Sequence, residues 1–204
     1  MSVINFNLRL QYFRNNILPA TLILHDKEYE YGNGFLIKDY FITAGHCLNN
    51  GPIIFEYNNI EYSFDKNDAI FFKSNIYSTC PTGDIAIFKF KNEKYLEVAP
   101  NSYELEKSTK LILAHYTKPA QYICSKNEKK CLDVDLFTFN TIIKEAPNFF
   151  ESSTTAKISG GSSGSPLLNE NLEVVGILVG CLNSTEKPNV ILFNDIRQFI
   201  NKLI

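Results

Sequence analysis

Residues 160–168 read GGSSGSPLL: three serines in a glycine frame, closed by a proline. Two structures fit such a stretch. Alternating glycine and serine make a flexible linker. The same residues also make a rigid turn, since glycine enters the positive-φ conformations that tight loops need. A rigid turn of this kind can aim one hydroxyl and two backbone N–H groups at a single point. The neighbouring sequence has to decide between them, and which serine matters depends on the answer.

Outward from this stretch the chain is a series of short apolar or alternating runs: ATLILHD, GFLIKDYFITA, PIIFEY, IEYSF, AIFFK, DIAIFKF, KLILAHY, DLFTFNTII, EVVGILVGC and NVILF. Most are rich in Ile, Phe, Tyr and Val and are broken by Asn, Asp, Gly or Pro, the pattern of many short strands in a sandwich or barrel. The more charged segment 91–110, KNEKYLEVAPNSYELEKSTK, reads as a connector between two all-β halves. At the end, Ile196, Phe199, Ile200 and Leu203 recur at helical spacing, which predicts a helix from about Asp195, capped by Asn194 or Asp195. INFNLRLQY near the start fits either a strand or one helix face.

With 204 residues the chain is long enough to bury roughly 70% of its unfolded surface, so no metal or disulfide staple is required. Apolar residues make up 45%, and the net charge of −2 comes from interspersed lysines and acids. That balance argues against a nucleic-acid surface or a polybasic membrane anchor. No apolar run approaches the ~20 residues of a membrane span. The first residues, MSVINFNLRLQYFRNN, lack the pattern of a signal peptide. The five cysteines, Cys47, Cys80, Cys124, Cys131 and Cys181, are odd in number and scattered. Two free thiols at Cys124 and Cys131 are favoured over a pair across SKNEKK. The expectation is a soluble protein of a reducing, cytoplasmic compartment.

Three histidines are present, and His46 alone follows a strand directly, in FLIKDYFITAGHCL. Asp84 stands just ahead of the apolar run in TGDIAIFKF. In chain order the sequence thus offers a histidine, an aspartate and a serine in a glycine turn. A serine hydroxyl is a poor nucleophile unless a base lies within hydrogen-bond reach and an acid fixes the tautomer of that base. The developing oxyanion also needs donors, which a tight glycine turn supplies as backbone N–H groups. His25 and His115 read as ordinary strand histidines.

TAGHC, GDIAIFKF and TTAKISGGSSGSPLL followed by VVGILVG resemble the three sequence blocks of the trypsin-like (chymotrypsin-fold) serine proteases. The last block is especially similar to the HtrA-type nucleophile loop. The resemblance covers roughly residues 18–204. It implies an all-β fold of two six-stranded antiparallel β-barrels, with the active site between them and a C-terminal α-helix. The expected division is an extension over 1–17, a first barrel over 18–95 with His46 and Asp84, a second over 96–193 with Ser163, and the helix over 194–204. The family pattern makes Ser163 the nucleophile, His46 the base and Asp84 the orienting acid, with the N–H groups of Gly161 and Ser163 as oxyanion hole. The linker reading is then expected to fail, since strands are expected on both sides and no second domain is expected to follow. Ser165 falls where the family usually has glycine and is expected to be structural.

Three positions depart from the family pattern. Ser162 stands where digestive and clotting proteases carry an aspartate that pairs with a newly cut N-terminus, so activation by cleavage is not expected. Cys47 lacks a cysteine in YGNGF to bridge to, and is expected to be a buried thiol. Val179 replaces a serine that hydrogen-bonds the catalytic aspartate in many relatives. No PDZ-like segment is expected, so the HtrA likeness is expected to stop at the protease domain. For the substrate pocket, the resemblance places Lys157 at the base, Val179, Gly180 and Cys181 along the wall, and Asn189 at the far side. A Lys157 buried there favours Asp or Glu before the cut, while a Lys157 turned to solvent leaves a shallow apolar pocket. The expected activity is that of a serine endopeptidase acting on protein or peptide substrates without cofactor or metal, on few targets or one partner protein. The alternatives are a viral polyprotein-processing protease and a protease-fold module that binds without cleaving.

Overall fold

The computed structural model describes residues 13–25, 30–72, 85–105, 109–116, 132–142, 149–153, 161–182 and 190–203. INFNLRLQY and the Cys124–Cys131 turn lie outside them. A turn of π-helix, Phe13–Ile17, and a 3₁₀ turn, Leu18–Ala20, lead into the first sheet, and Ile17 is buried in its core.

The first half contains β1 (Thr21–His25), β2 (Glu30–Ile37), β3 (Tyr40–Ala44), β4 (Ile53–Tyr57), β5 (Ile60–Phe64), β6 (Ile70–Phe72) and β7 (Ile85–Lys89). They form one antiparallel sheet in the order β5-β4-β1-β2-β3-β7-β6. Among the described residues seven strand segments fill the six expected strand positions, because one position is split. A 3₁₀ turn, Lys66–Asp68, interrupts it; Asp65 caps that turn and the Asp68 side chain reaches back to the Asp65 N–H. Such a capping box satisfies the orphan N–H groups of the turn and lets the ladder stop cleanly. The two pieces sit at opposite edges of the sheet, joined by a short connection, so the sheet curls toward closure. Asn58 and Asn59, at φ 52° and 61°, make the two-residue hairpin between β4 and β5. Inside, Phe41 stacks on Phe55 at 4.5 Å and Phe64 on Phe88 at 4.7 Å, with Phe90 edge-on to Tyr57 and Tyr62.

The second half contains β8 (Lys110–Tyr116), β9 (Leu132–Ile142), β10 (Phe149–Ser153), β11 (Pro166–Leu168), β12 (Val174–Leu182) and β13 (Val190–Asp195). These six close into a barrel, β10-β13-β12-β11-β8-β9. Side chains alternate between two apolar environments. Leu111, Leu113, Leu167, Val175 and Leu178 fill one cluster; Ile112, Ala114, Leu168, Val174 and Ile177 join the larger cluster that also holds the core of the first half. Burial on both faces explains why KLILAHY and VVGIL read as continuous apolar runs instead of alternating ones.

The 91–110 connector straps the halves together. Leu96 N–H donates to Leu36 O, and Val174 bonds with Glu97 and Ala99. At the end, a single α-helical turn, α1 (Arg197–Ile200), runs into tighter turns up to Leu203. Ile196 and Ile200 are buried, and Phe199 and Leu203 pack against the same cluster. The cap is Ile196 with no side-chain bond, in place of Asn194 or Asp195. Those two residues are spent in the strand ladder, opposite Ile177 and Gly176. Among the described residues no helix is long and apolar enough to cross a membrane.

Candidate active site

β3 ends at Ala44 and the chain turns into a 3₁₀ turn, Gly45–Leu48, which carries His46 half-exposed between buried Gly45 and Cys47. Burial pushes the His46 imidazole below its ordinary 6.5, because desolvation penalises the charged ring. A neutral ring with a basic nitrogen is the form a general base needs.

Ser163 lies in the turn between Gly161 and β11, also half-exposed. The turn is built peptide by peptide. Gly161 has φ +104° and Gly164 φ +86°, so the chain reverses at both ends through conformations that favour glycine. Ser162 O accepts from Ser165 N–H at 3.3 Å and from Ser165 Oγ at 2.7 Å. Carbonyl and N–H of one peptide point in opposite directions. Holding the Ser162 carbonyl toward Ser165 therefore turns the Ser163 N–H outward. Gly164 N–H donates to Leu178 O at 2.8 Å, and Leu178 N–H to Ser165 O at 2.9 Å, which sews the turn to β12. Among the described residues no acceptor takes the backbone N–H of Gly161 or Ser163. Ser165, buried and bonded within the turn, is structural as the sequence suggested.

The turn docks against the first sheet with almost no space between. A Cβ on Gly164 would lie 2.0 Å from Asn33 O and 2.6 Å from Thr43 Oγ1, and a Cβ on Gly32 would lie 2.7 Å from Cys47 Sγ and 3.4 Å from Ser163 O. The Ser163 backbone and the residue next to His46 thus pack on the same glycine of β2. This contact brings the serine turn and the histidine turn to one seam between the halves. No hydrogen bond joins the His46 ring to Ser163 Oγ in this structure. Such bonds are often long until substrate closes the site.

Two contributors were not anticipated from sequence. Asn33, fully buried, donates through Nδ2 to Gly161 O at 2.6 Å and Tyr116 O at 3.1 Å, and accepts from Tyr116 N–H at 2.8 Å. Its own N–H donates to Ser163 O at 2.8 Å. His115, expected to be an ordinary strand histidine, is fully buried with Nδ1 3.0 Å from Ser162 Oγ. A signal for each was present: a polar residue between two glycines in YGNGF, and a polar ring inside the apolar KLILAHY.

Asp84, Lys157 and Asn189 lie outside the described residues. Gly180 and Cys181 are on β12, opposite Leu192 and Ile191. The register shifts between Leu178 and Gly180, leaving Val179 as the extra residue of a bulge, half-buried against the larger apolar cluster. Bulges of this kind re-aim a strand beside a site. Cys47 is buried as a thiol. Among the described residues no cluster of His, Cys, Asp or Glu is arranged to hold a metal.

Two β-barrel-like halves with a glycine-framed serine and a histidine at their seam define the chymotrypsin-like protease fold. A family model for the trypsin-like peptidase domain matches residues 32–177, and the chain belongs to that family. No curated protein matches the chain. Among solved structures it is similar to mouse neuropsin, a serine protease expressed in the limbic system of the brain: TM-score 0.65, 16% identity, 91% of this chain and 92% of that one. The active form of the Rv3671c protease from M. tuberculosis gives TM-score 0.61 and 14% identity over 91% of this chain and 79% of that one. An inactivated protease paralogue of the scabies mite, S-I1, gives TM-score 0.65 and 13% identity over 91% and 92%. The fold is thus shared by active and inactive proteins, and the site has to carry the argument for catalysis.

Proposed function

We propose that the chain is a serine endopeptidase that cleaves protein substrates through His46, Asp84 and Ser163 and an acyl-enzyme intermediate. The observation that carries the reading is the Ser163 turn: a half-exposed serine beside two backbone N–H groups that no acceptor among the described residues takes. Ser163 Oγ attacks the scissile carbonyl carbon while His46 takes its proton, and Asp84 holds the ring in the right tautomer. Gly161 and Ser163 N–H groups receive the oxyanion. His46 then protonates the leaving amine, and water repeats the sequence on the ester.

The same reading assigns the pocket to Lys157, Val179, Gly180, Cys181 and Asn189, with Asp or Glu preferred before the cut if Lys157 faces inward. It places the enzyme in the cytoplasm, acting on few targets or on one partner protein, without cofactor, nucleic acid or membrane. A buried Cys47 thiol supports a reducing compartment. The open His46–Ser163 pair favours one competitor, a peptide-binding module that does not cleave.

Peptide-library cleavage by wild type, Ser163→Ala and Lys157→Ala tests the nucleophile and the pocket together. The expected result is discrete cleavage sites that vanish in Ser163→Ala and lose their acidic preference in Lys157→Ala. No cleavage by wild type would leave the binding module standing. Identical apolar sites in wild type and Lys157→Ala would remove the acidic pocket alone.

A further inference from the structure

We propose that Asn33 is the positioning residue that sets the oxyanion-binding geometry of the Ser163 turn from the opposite half of the molecule. The inference rests on the protease reading above and adds a residue that acts through the turn without touching substrate.

The argument starts from what holds Gly161. Its φ is +104°, and among the described residues a Cβ there would meet nothing within 4 Å, so their packing does not fix the backbone at this point. A glycine in open space rotates readily. Rotation at Gly161 would move its N–H relative to that of Ser163, and two donors serve one oxyanion only while both point at it. What restrains the rotation is the carbonyl: Gly161 O accepts from Asn33 Nδ2 at 2.6 Å.

Asn33 is equipped for that restraint. Both Nδ2 donors are used, on Gly161 O and Tyr116 O, and Oδ1 accepts from Tyr116 N–H. The paired bonds to Tyr116 lock the carboxamide plane against β8. The backbone of Asn33 is also anchored, with its N–H on Ser163 O and its carbonyl accepting from Thr43 Oγ1 at 2.7 Å. One buried residue thus grips the two carbonyls, Gly161 and Ser163, that flank the Ser162–Ser163 peptide. A buried carboxamide with all these bonds satisfied holds its geometry firmly, since breaking any one strands a desolvated polar group.

The test is Asn33→Asp. Ionised aspartate keeps the shape and the acceptor for Tyr116 N–H but has no donor for Gly161 O. Steady-state kinetics on a peptide cleaved by wild type, with melting curves alongside, give the reading. The expected result is a kcat lowered roughly 10- to 100-fold with KM changed by less than about 3-fold, the pattern of a site slightly out of register. If the aspartate prevents folding, Asn33→Ser, too short to reach Gly161, gives the same comparison. A folded variant with wild-type kcat and only a lowered Tm overturns the positioning role and leaves Asn33 structural. A wild type that cleaves no peptide overturns the inference together with the protease reading, which keeps the two failures distinct.

Discussion

At the scale of single residues, the proposed chemistry requires His46 and Ser163 to work as a unit. Ser163→Ala and His46→Ala should each lower kcat by at least about 10⁴-fold, and the double variant should be little worse than either single. Losses that multiply would show that the two residues do not share one step. As the proposed base, the same histidine should set the pH response. Its folded-state pKa lies below 6.5, so the neutral base persists into mildly acidic solution, and the acid limb of kcat/KM should fall below the ordinary imidazole range. The linkage has the matching sign. Between 6.5 and the lower folded-state value the unfolded chain binds more protons, so stability declines as pH falls through that window. His46→Gln should remove that slope; an acid limb above 6.5 would contradict the desolvated ring. Ser163 and His46 could be singled out in the sequence because local motifs mark both positions. Asn33 was not, because its role arises from contacts with Tyr116, Gly161 and Ser163, far away in sequence.

At the scale of elements, β8 and β2 each hold one side of the nucleophile turn. From β8, His115 meets Ser162 Oγ where both are fully buried. His115→Phe would keep the ring volume and strand that hydroxyl, costing about 1–3 kcal/mol. The expected result is a lowered denaturation midpoint together with reduced kcat; unchanged stability would show that the pair holds nothing. From β2, Gly32 approaches Cys47 so closely that a Cβ would sit 2.7 Å from Sγ. A disulfide sets that separation at about 3 Å. Gly32→Cys should therefore oxidise to a bridge worth up to about 3 kcal/mol for a loop of this length, read as a Tm that rises on oxidation and returns with reductant. A thiol count that stays unchanged under oxidant would refute the close approach. Strand existence was readable from Ile, Phe and Val in short runs. The split between β5 and β6 was not, since FDKND reads as any polar turn until the reciprocal Asp65–Asp68 cap is seen. The helical spacing at the C-terminus was read correctly as an apolar face, but it could not show that β13 extends through Asp195 and shortens α1 to one turn.

At the scale of the whole molecule, the two halves share one buried apolar cluster, and the nucleophile turn is clamped between them. The arrangement in two all-β halves was legible from the sequence because the connector breaks the strand pattern. The seam was not, since its tightness comes from glycines with no side chain to signal what they approach. An assembled seam should present one serine of unusual reactivity, which a fluorophosphonate probe detects without knowledge of the natural substrate. Intact mass and peptide mapping of the labelled native protein measure this directly. The account predicts one adduct, on Ser163, lost on unfolding and absent in Ser163→Ala and His46→Ala. Native protein that takes up no probe, or takes it up at another residue, would contradict the assignment of Ser163 as nucleophile.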